Sequence, residues 1–222
     1  MLIRKSLLAA AILLPAASFA DGFGLGAHVG TNGPGLDAFY RISDRLVLRA
    51  GYNQYDLDVD RSEDDVEYDG TYAFKNAQLG LDFYPFAGGF RVSAAYVANG
   101  NELDLHAVPT GGTFSFNNVE YQGTEVKDAK ANISYPGSAA YVGVGWGNPV
   151  REGKGFGATF DLGVVYVGSA DVALNVECGA VVAPHTCAGL KADGEVERQQ
   201  LEDDLADVPF WPVVQLGLSY NF

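Results

Sequence analysis

Apolar and polar positions alternate with a period of two over eight stretches of the chain. This is the repeat of a strand whose two faces meet different surroundings. Across 210–222 the even positions are Phe210, Pro212, Val214, Leu216, Leu218, Tyr220 and Phe222, while the odd positions include Gln215, Gly217, Ser219 and Asn221. Across 156–166, Phe156, Ala158, Phe160, Leu162, Val164 and Tyr166 oppose Gly157, Thr159, Asp161 and Gly163. The same division recurs over 23–30, 36–42, 46–53, 76–83, 90–98 and 140–147. Eight antiparallel strands are predicted, and an even number lets a closed membrane barrel keep both chain ends on one side.

The connections supply a second signal. Those at 43–44, 85–89 and 148–154 are short, whereas three of the four on the opposite side (31–34, 58–70, 106–137 and 170–208) are long and read as loops. Short turns on one side and long loops on the other are the arrangement of bacterial outer-membrane barrels. Parity alone does not say which face looks outward, because a soluble barrel alternates too. The start and end of the chain favour the membrane. Residues 1–20 read as a secretory signal, with Arg4 and Lys5, an apolar run over 7–14, Pro15, and small residues Ser18 and Ala20 before Asp21. The last strand carries Gln215, Gly217, Tyr220 and the terminal Phe222 at the spacing of a barrel-assembly signal. The expectation is a signal over 1–20 followed by a single barrel domain over 21–222, all-β and eight-stranded, in the bacterial outer membrane.

Composition narrows the function. Glycine accounts for 28 of 222 residues, and Asp plus Glu outnumber Lys plus Arg by 28 to 14. Such an acidic chain does not suit nucleic acid, which needs clustered cations. After residue 20 no apolar run reaches the roughly 18 residues of a spanning helix. Cys178 and Cys187 lie nine positions apart in a chain bound for an oxidising compartment, so a disulfide closing a small loop is expected. With only His185 nearby they make an incomplete metal-ligand set.

The polar face places Asp37, Arg41, Arg49, Asn53, Gln78, Asp82, Arg91, Asp161 and Gln215 inside the barrel, with His28. Two readings stand. These charges pair with one another and fill a narrow lumen, or they form a polar track for small solutes. The acid-rich segment holding Asp58, Asp60, Glu63, Asp64, Asp65 and Glu67 is expected as a loop at the mouth that concentrates cations. Its spacing is not that of an EF-hand, so no metal is assigned. Residues 194–206 suit a short helix folded on the rim. Neither His106 nor His185 has a recognisable catalytic partner set, so an enzyme is not expected and no cofactor is needed.

Several segments in order, VGTNGPG, DLDVDRSEDDVEYDG, LGLDFYPF, YVGVGWGNP, GFGATFDLGVVYVGSADVAL, EVERQQLEDD and WPVVQLGLSYNF, resemble the small outer-membrane channel family typified by CarO. That family is linked to uptake of basic amino acids and to carbapenem entry. The resemblance implies an eight-stranded barrel and passage of small cationic solutes. The cysteine pair and the short first loop stand apart from the family pattern. The functional expectation is therefore a narrow passive channel favouring small cations, with a closed barrel acting through its extracellular loops as the alternative. Expected partners are membrane lipid and lipopolysaccharide, the barrel-assembly machinery during biogenesis, and small solutes.

Overall fold

Alternation becomes a closed ring of strands in the computed structural model, which describes residues 22–63, 66–109 and 111–222. The expected export signal, Asp64 and Asp65 lie outside the described residues. β1 (Phe23–Gly30) and β2 (Gly35–Ser43) flank the 31–34 turn, and β3 (Leu46–Glu63) and β4 (Val66–Phe83) make a long hairpin. β5 (Phe90–Asn99) leads straight into β6 (Glu102–Pro109), and a small hairpin of β7 (Thr113–Phe116) and β8 (Val119–Gln122) follows. β9 (Val126–Ser134) descends into β10 (Ser138–Trp146), and β11 (Gly155–Tyr166) rises into β12 (Asp171–Cys178). Helix α1 (Pro184–Ala206) then returns the chain to β13 (Phe210–Asn221).

The lower half of β4 pairs with β5, from Asn76 opposite Asn99 to Phe83 opposite Val92. That pairing closes the ring β1-β2-β3-β4-β5-β10-β11-β13, and β13 rejoins β1. Every backbone edge in the ring is thereby paired, which a hydrocarbon setting demands. The outward face is apolar and exposed, with Val29, Leu79, Val142, Leu216 and Leu218 along its middle. Aromatic contacts bound this belt, Phe90 with Trp146 and Phe156 with Tyr220 near the short turns, and Tyr166 with Phe210 near the opposite end. This is the surface of a transmembrane barrel.

Above the ring the chain departs from expectation. The upper half of β4 leaves β5 and pairs with β6, and an open sheet β3-β4-β6-β9-β12 continues outward. The three long connections are thus mostly strand and helix. Their alternation is present in the sequence, as in Tyr55, Leu57 and Val59 against Asp56, Asp58 and Asp60, but the density of acids masks it. The helix begins at Pro184, ten residues before the expected start. Proline there costs no helical hydrogen bond and presets the helical φ.

Among helix residues only Leu190 and Gly194 are buried. Leu190 packs with Phe116, Tyr121, Val126, Ala129 and Val176, which ties helix, small hairpin and sheet together. A Cβ on Gly194 would lie 3.1 Å from the Val176 side chain, so glycine lets the helix approach closely. The Cys178–Cys187 disulfide joins the end of β12 to the first turns of the helix.

Candidate functional site

Each barrel strand turns every second residue inward, and the lumen is built from those residues in layers. At the end bearing the short turns Phe39, Val47, Tyr84 and Val150 form a buried apolar plug. Next lies a quartet of charges from four strands: Arg49 (β3), Asp82 (β4), Arg91 (β5) and Asp161 (β11). Arg91 Nη2 donates to both oxygens of Asp161 at 2.7 Å. Arg49 reaches Asp161 and Asp82, each at 3.3 Å, and Arg91 Nε lies 3.7 Å from Asp82. Ser93 donates to Asp82 at 2.6 Å, and Arg91 Nη1 donates to the Gly147 carbonyl at 2.5 Å. All four charged residues are at most 3% exposed. Charges this deep persist because each is matched by an opposite charge and by hydrogen bonds. Gly145 makes the room, since a Cβ there would sit 2.9 Å from both the Arg91 guanidinium carbon and Asp161 Oδ1.

A second network lies toward the mouth. Asp37 Oδ2 and His28 Nδ1 are 2.5 Å apart, Asn53 Nδ2 lies 2.7 Å from His28 Nε2, and Gln78 donates to Asp37 at 3.5 Å. Gln215 lines a residual cavity with Asn53, Asn76 and Gln78, whose volume of about 10 Å³ holds a single water at most. Val97, Ala139, Tyr141, Val165, Val167 and Val213 cap the lumen above, beside the stacked Tyr72 and Trp211.

All nine expected inward residues lie on this face by register, Arg41 opposite the plug residue Val47, and seven of them belong to the two networks just described. Arg41 joins neither network. It is half-buried beside Gly22 at the end bearing the short turns, lining a cavity of about 260 Å³ with Arg151 and Lys154.

The acid-rich segment is not a loop at the mouth. Asp58 pairs with Thr71, Asp60 with Asp69, and Ser62 with Glu67 in the β3–β4 ladder. By parity these acids occupy the face continuous with the barrel exterior, while Leu57, Val59 and Tyr68 continue the inner face. Thr71 donates to Asp58 at 2.9 Å across this outer face. Glu63 ends β3 opposite Val66.

The helix is clamped to the small hairpin by polar contacts that the sequence did not flag. Tyr121 donates to Asp193 at 2.5 Å, and Asn117 donates from Nδ2 to Asp193 at 3.1 Å and from its backbone to Glu197 at 3.0 Å. The Asp193 bond pushes the Tyr121 hydroxyl up to about 12 and, with Asn117, holds the Asp193 carboxyl below its ordinary range. Arg198 donates to Glu195 and Glu202 on its own helix and to the Val172 carbonyl of β12. A groove of about 730 Å³ runs across β4, β6, β9 and β12 beside Arg198, with Leu105, Ala131, Val172 and Leu174 among its lining.

No protein-family model matches the chain, and no curated protein matches it in sequence. Solved structures do. The CarO structure from Acinetobacter baumannii is 23% identical over 90% of this chain and 97% of its own, with a TM-score of 0.62. CarO2 from the same organism is likewise 23% identical, over 91% and 99%, with the same TM-score. Neisserial surface protein A is 12% identical with a TM-score of 0.32. What this chain shares with the two CarO structures is the fold, an eight-stranded antiparallel transmembrane β-barrel.

Proposed function

We propose that this chain is an outer-membrane protein with a closed lumen that acts at the cell surface through its extracellular module. The observation that carries this is the quartet. Arg49, Arg91, Asp82 and Asp161 spend their charge on one another across the lumen and stand directly on an apolar plug. A cation passing inward would have to displace an arginine from a carboxylate in a site with no room for both. The expected cation-favouring channel would therefore require this layer to part. Gln215, Gly217, Tyr220 and Phe222 retain their proposed role as the assembly signal, since β13 closes the ring against β1. Lipid around the belt and lipopolysaccharide beside the module complete the proposed setting.

Liposome swelling tests the proposal. The mature chain is refolded into vesicles, folding is checked by heat-modifiable migration, and entry of lysine, a neutral amino acid and glutamate is followed. The expected outcome is a folded barrel with no entry above protein-free vesicles. Entry of lysine faster than glutamate would overturn the closed lumen and restore the channel.

A further inference from the structure

We propose that the free edge of β3, residues 56–60, is a docking site for an extended basic segment of another polypeptide, which joins the extracellular sheet as an added strand. This rests on the reading that the module is the working part of the protein. Pairing of β2 with β3 stops at Gly35 opposite Asn53, whereas pairing of β3 with β4 runs on to Glu63 opposite Val66. Beyond Asn53 the β2 side of β3 has no ladder partner among the described residues. The 31–34 turn reaches only as far as Tyr55, whose Cβ lies 3.0 Å from where a Cβ on Gly33 would be. From Asp56 to Asp60, about 17 Å of strand presents backbone donors and acceptors with no ladder partner among the described residues.

The opposite edge of the same sheet is treated differently. β12 is flanked by α1, held there by the disulfide, by Gly194 against Val176 and by Arg198 on the Val172 carbonyl. One edge is guarded and the other is open.

The side chains on the open edge select the partner. Asp56, Asp58 and Asp60 line one face, all exposed and none paired with a cation among the described residues. Leu57 and Val59 line the other, 43% and 53% exposed. An added strand bearing Lys or Arg at alternate positions and apolar residues between them would match both faces. A second copy of this edge would set aspartates against aspartates, and an acidic strand would do the same, so both are disfavoured.

The probe is a labelled heptapeptide, acetyl-Lys-Val-Lys-Val-Lys-Val-Lys-amide, added to the refolded full-length mature protein in detergent. Its companions are the version with Glu in place of Lys and a version N-methylated at every residue, which keeps charge and side chains but donates no ladder bonds. The Lys peptide is expected to bind, to lose about tenfold or more on N-methylation, and to protect the edge-facing amides within 56–60 from hydrogen exchange. Combined Asp56→Lys, Asp58→Lys and Asp60→Lys substitution, with folding confirmed by heat-modifiable migration, is expected to switch preference to the Glu peptide. Absence of binding, equal binding of the N-methylated peptide, or unchanged preference in the triple variant would each overturn the docking site. The swelling assay scores the closed lumen separately, so either idea can fail while the other stands.

Discussion

The barrel and the module above it handle charge in opposite ways. Of the 28 acids in the chain, 22 fall within 56–75, 99–137 and 167–209, against six Lys and Arg in the same segments. The rest of residues 21–222 holds six of each. Inside the barrel Asp82, Asp161, Arg49 and Arg91 are buried and mutually paired. On the module Asp56, Asp58, Asp60 and Asp69 stand exposed. A lumen excludes water, so it accepts charge only in matched sets. A solvated sheet bears an excess of one sign at little cost, and that excess is available to act on a partner.

The largest test of this contrast is Arg91→Met. It leaves Asp161 without the Nη2 donor that meets both its oxygens, and we expect a loss of about 3–5 kcal/mol, read as a lower urea midpoint for the heat-modifiable form. Asp58→Asn in the module should stay within about 0.5 kcal/mol in the same assay. Comparable losses at the two sites would erase the distinction.

Leu190→Ala probes whether the module is held separately from the barrel. Loss of this fully buried side chain should weaken docking of α1 by about 3 kcal/mol, seen as faster hydrogen exchange in the helix. The barrel midpoint should not move. Cys187→Ser should act in the same place by about 2 kcal/mol, again with the barrel unaffected. A shift in the barrel midpoint in either variant would mean that the two regions unfold as one.

The smallest expected effect is a pH dependence confined to the helix clamp. The Tyr121 hydroxyl is raised to about 12 by Asp193. Its contribution is therefore complete below the ordinary tyrosine value of about 10 and is lost as pH climbs through about 12. Asp193 is held low by Tyr121 and Asn117. Its contribution is present above the ordinary carboxylate value of about 3.9 and is lost as pH falls through its depressed value. Proteolytic release of α1 should rise at both extremes, and Tyr121→Phe should abolish the alkaline arm. An alkaline arm that survives this substitution would place the titration elsewhere.

Legibility in the sequence follows the same divide. Strands facing lipid on one side and a narrow polar lumen on the other have strong contrast between neighbours. Phe23–Gly30 therefore has the predicted bounds, and Gly155–Tyr166 differs by one residue. Above the bilayer neither face meets lipid and much of the sheet meets water, so the contrast weakens and acids dominate. Residues 106–109 at the end of β6, and the whole of Asp171–Cys178, read as loop for that reason, although Val172, Leu174 and Val176 still alternate. Asn117, Tyr121 and Asp193 carried no pattern at all. Their meeting depends on a hairpin and a helix separated by more than 70 positions.

By itself the sequence determined the eight spanning strands, their inward and outward faces and the cysteine pairing expected of an exported chain. A period of two and a local spacing are properties of neighbours along the chain, so no tertiary information is needed to see them. Tertiary structure decided which inward charges meet, because ring closure and strand stagger bring Arg49, Asp82, Arg91 and Asp161 from four strands to one level. It also decided that Arg41 joins neither network, that Asp58, Asp60 and Glu67 line the outer face rather than the mouth, and that β3 outruns β2. Each of these depends on register between strands, and register is fixed only when the whole sheet closes.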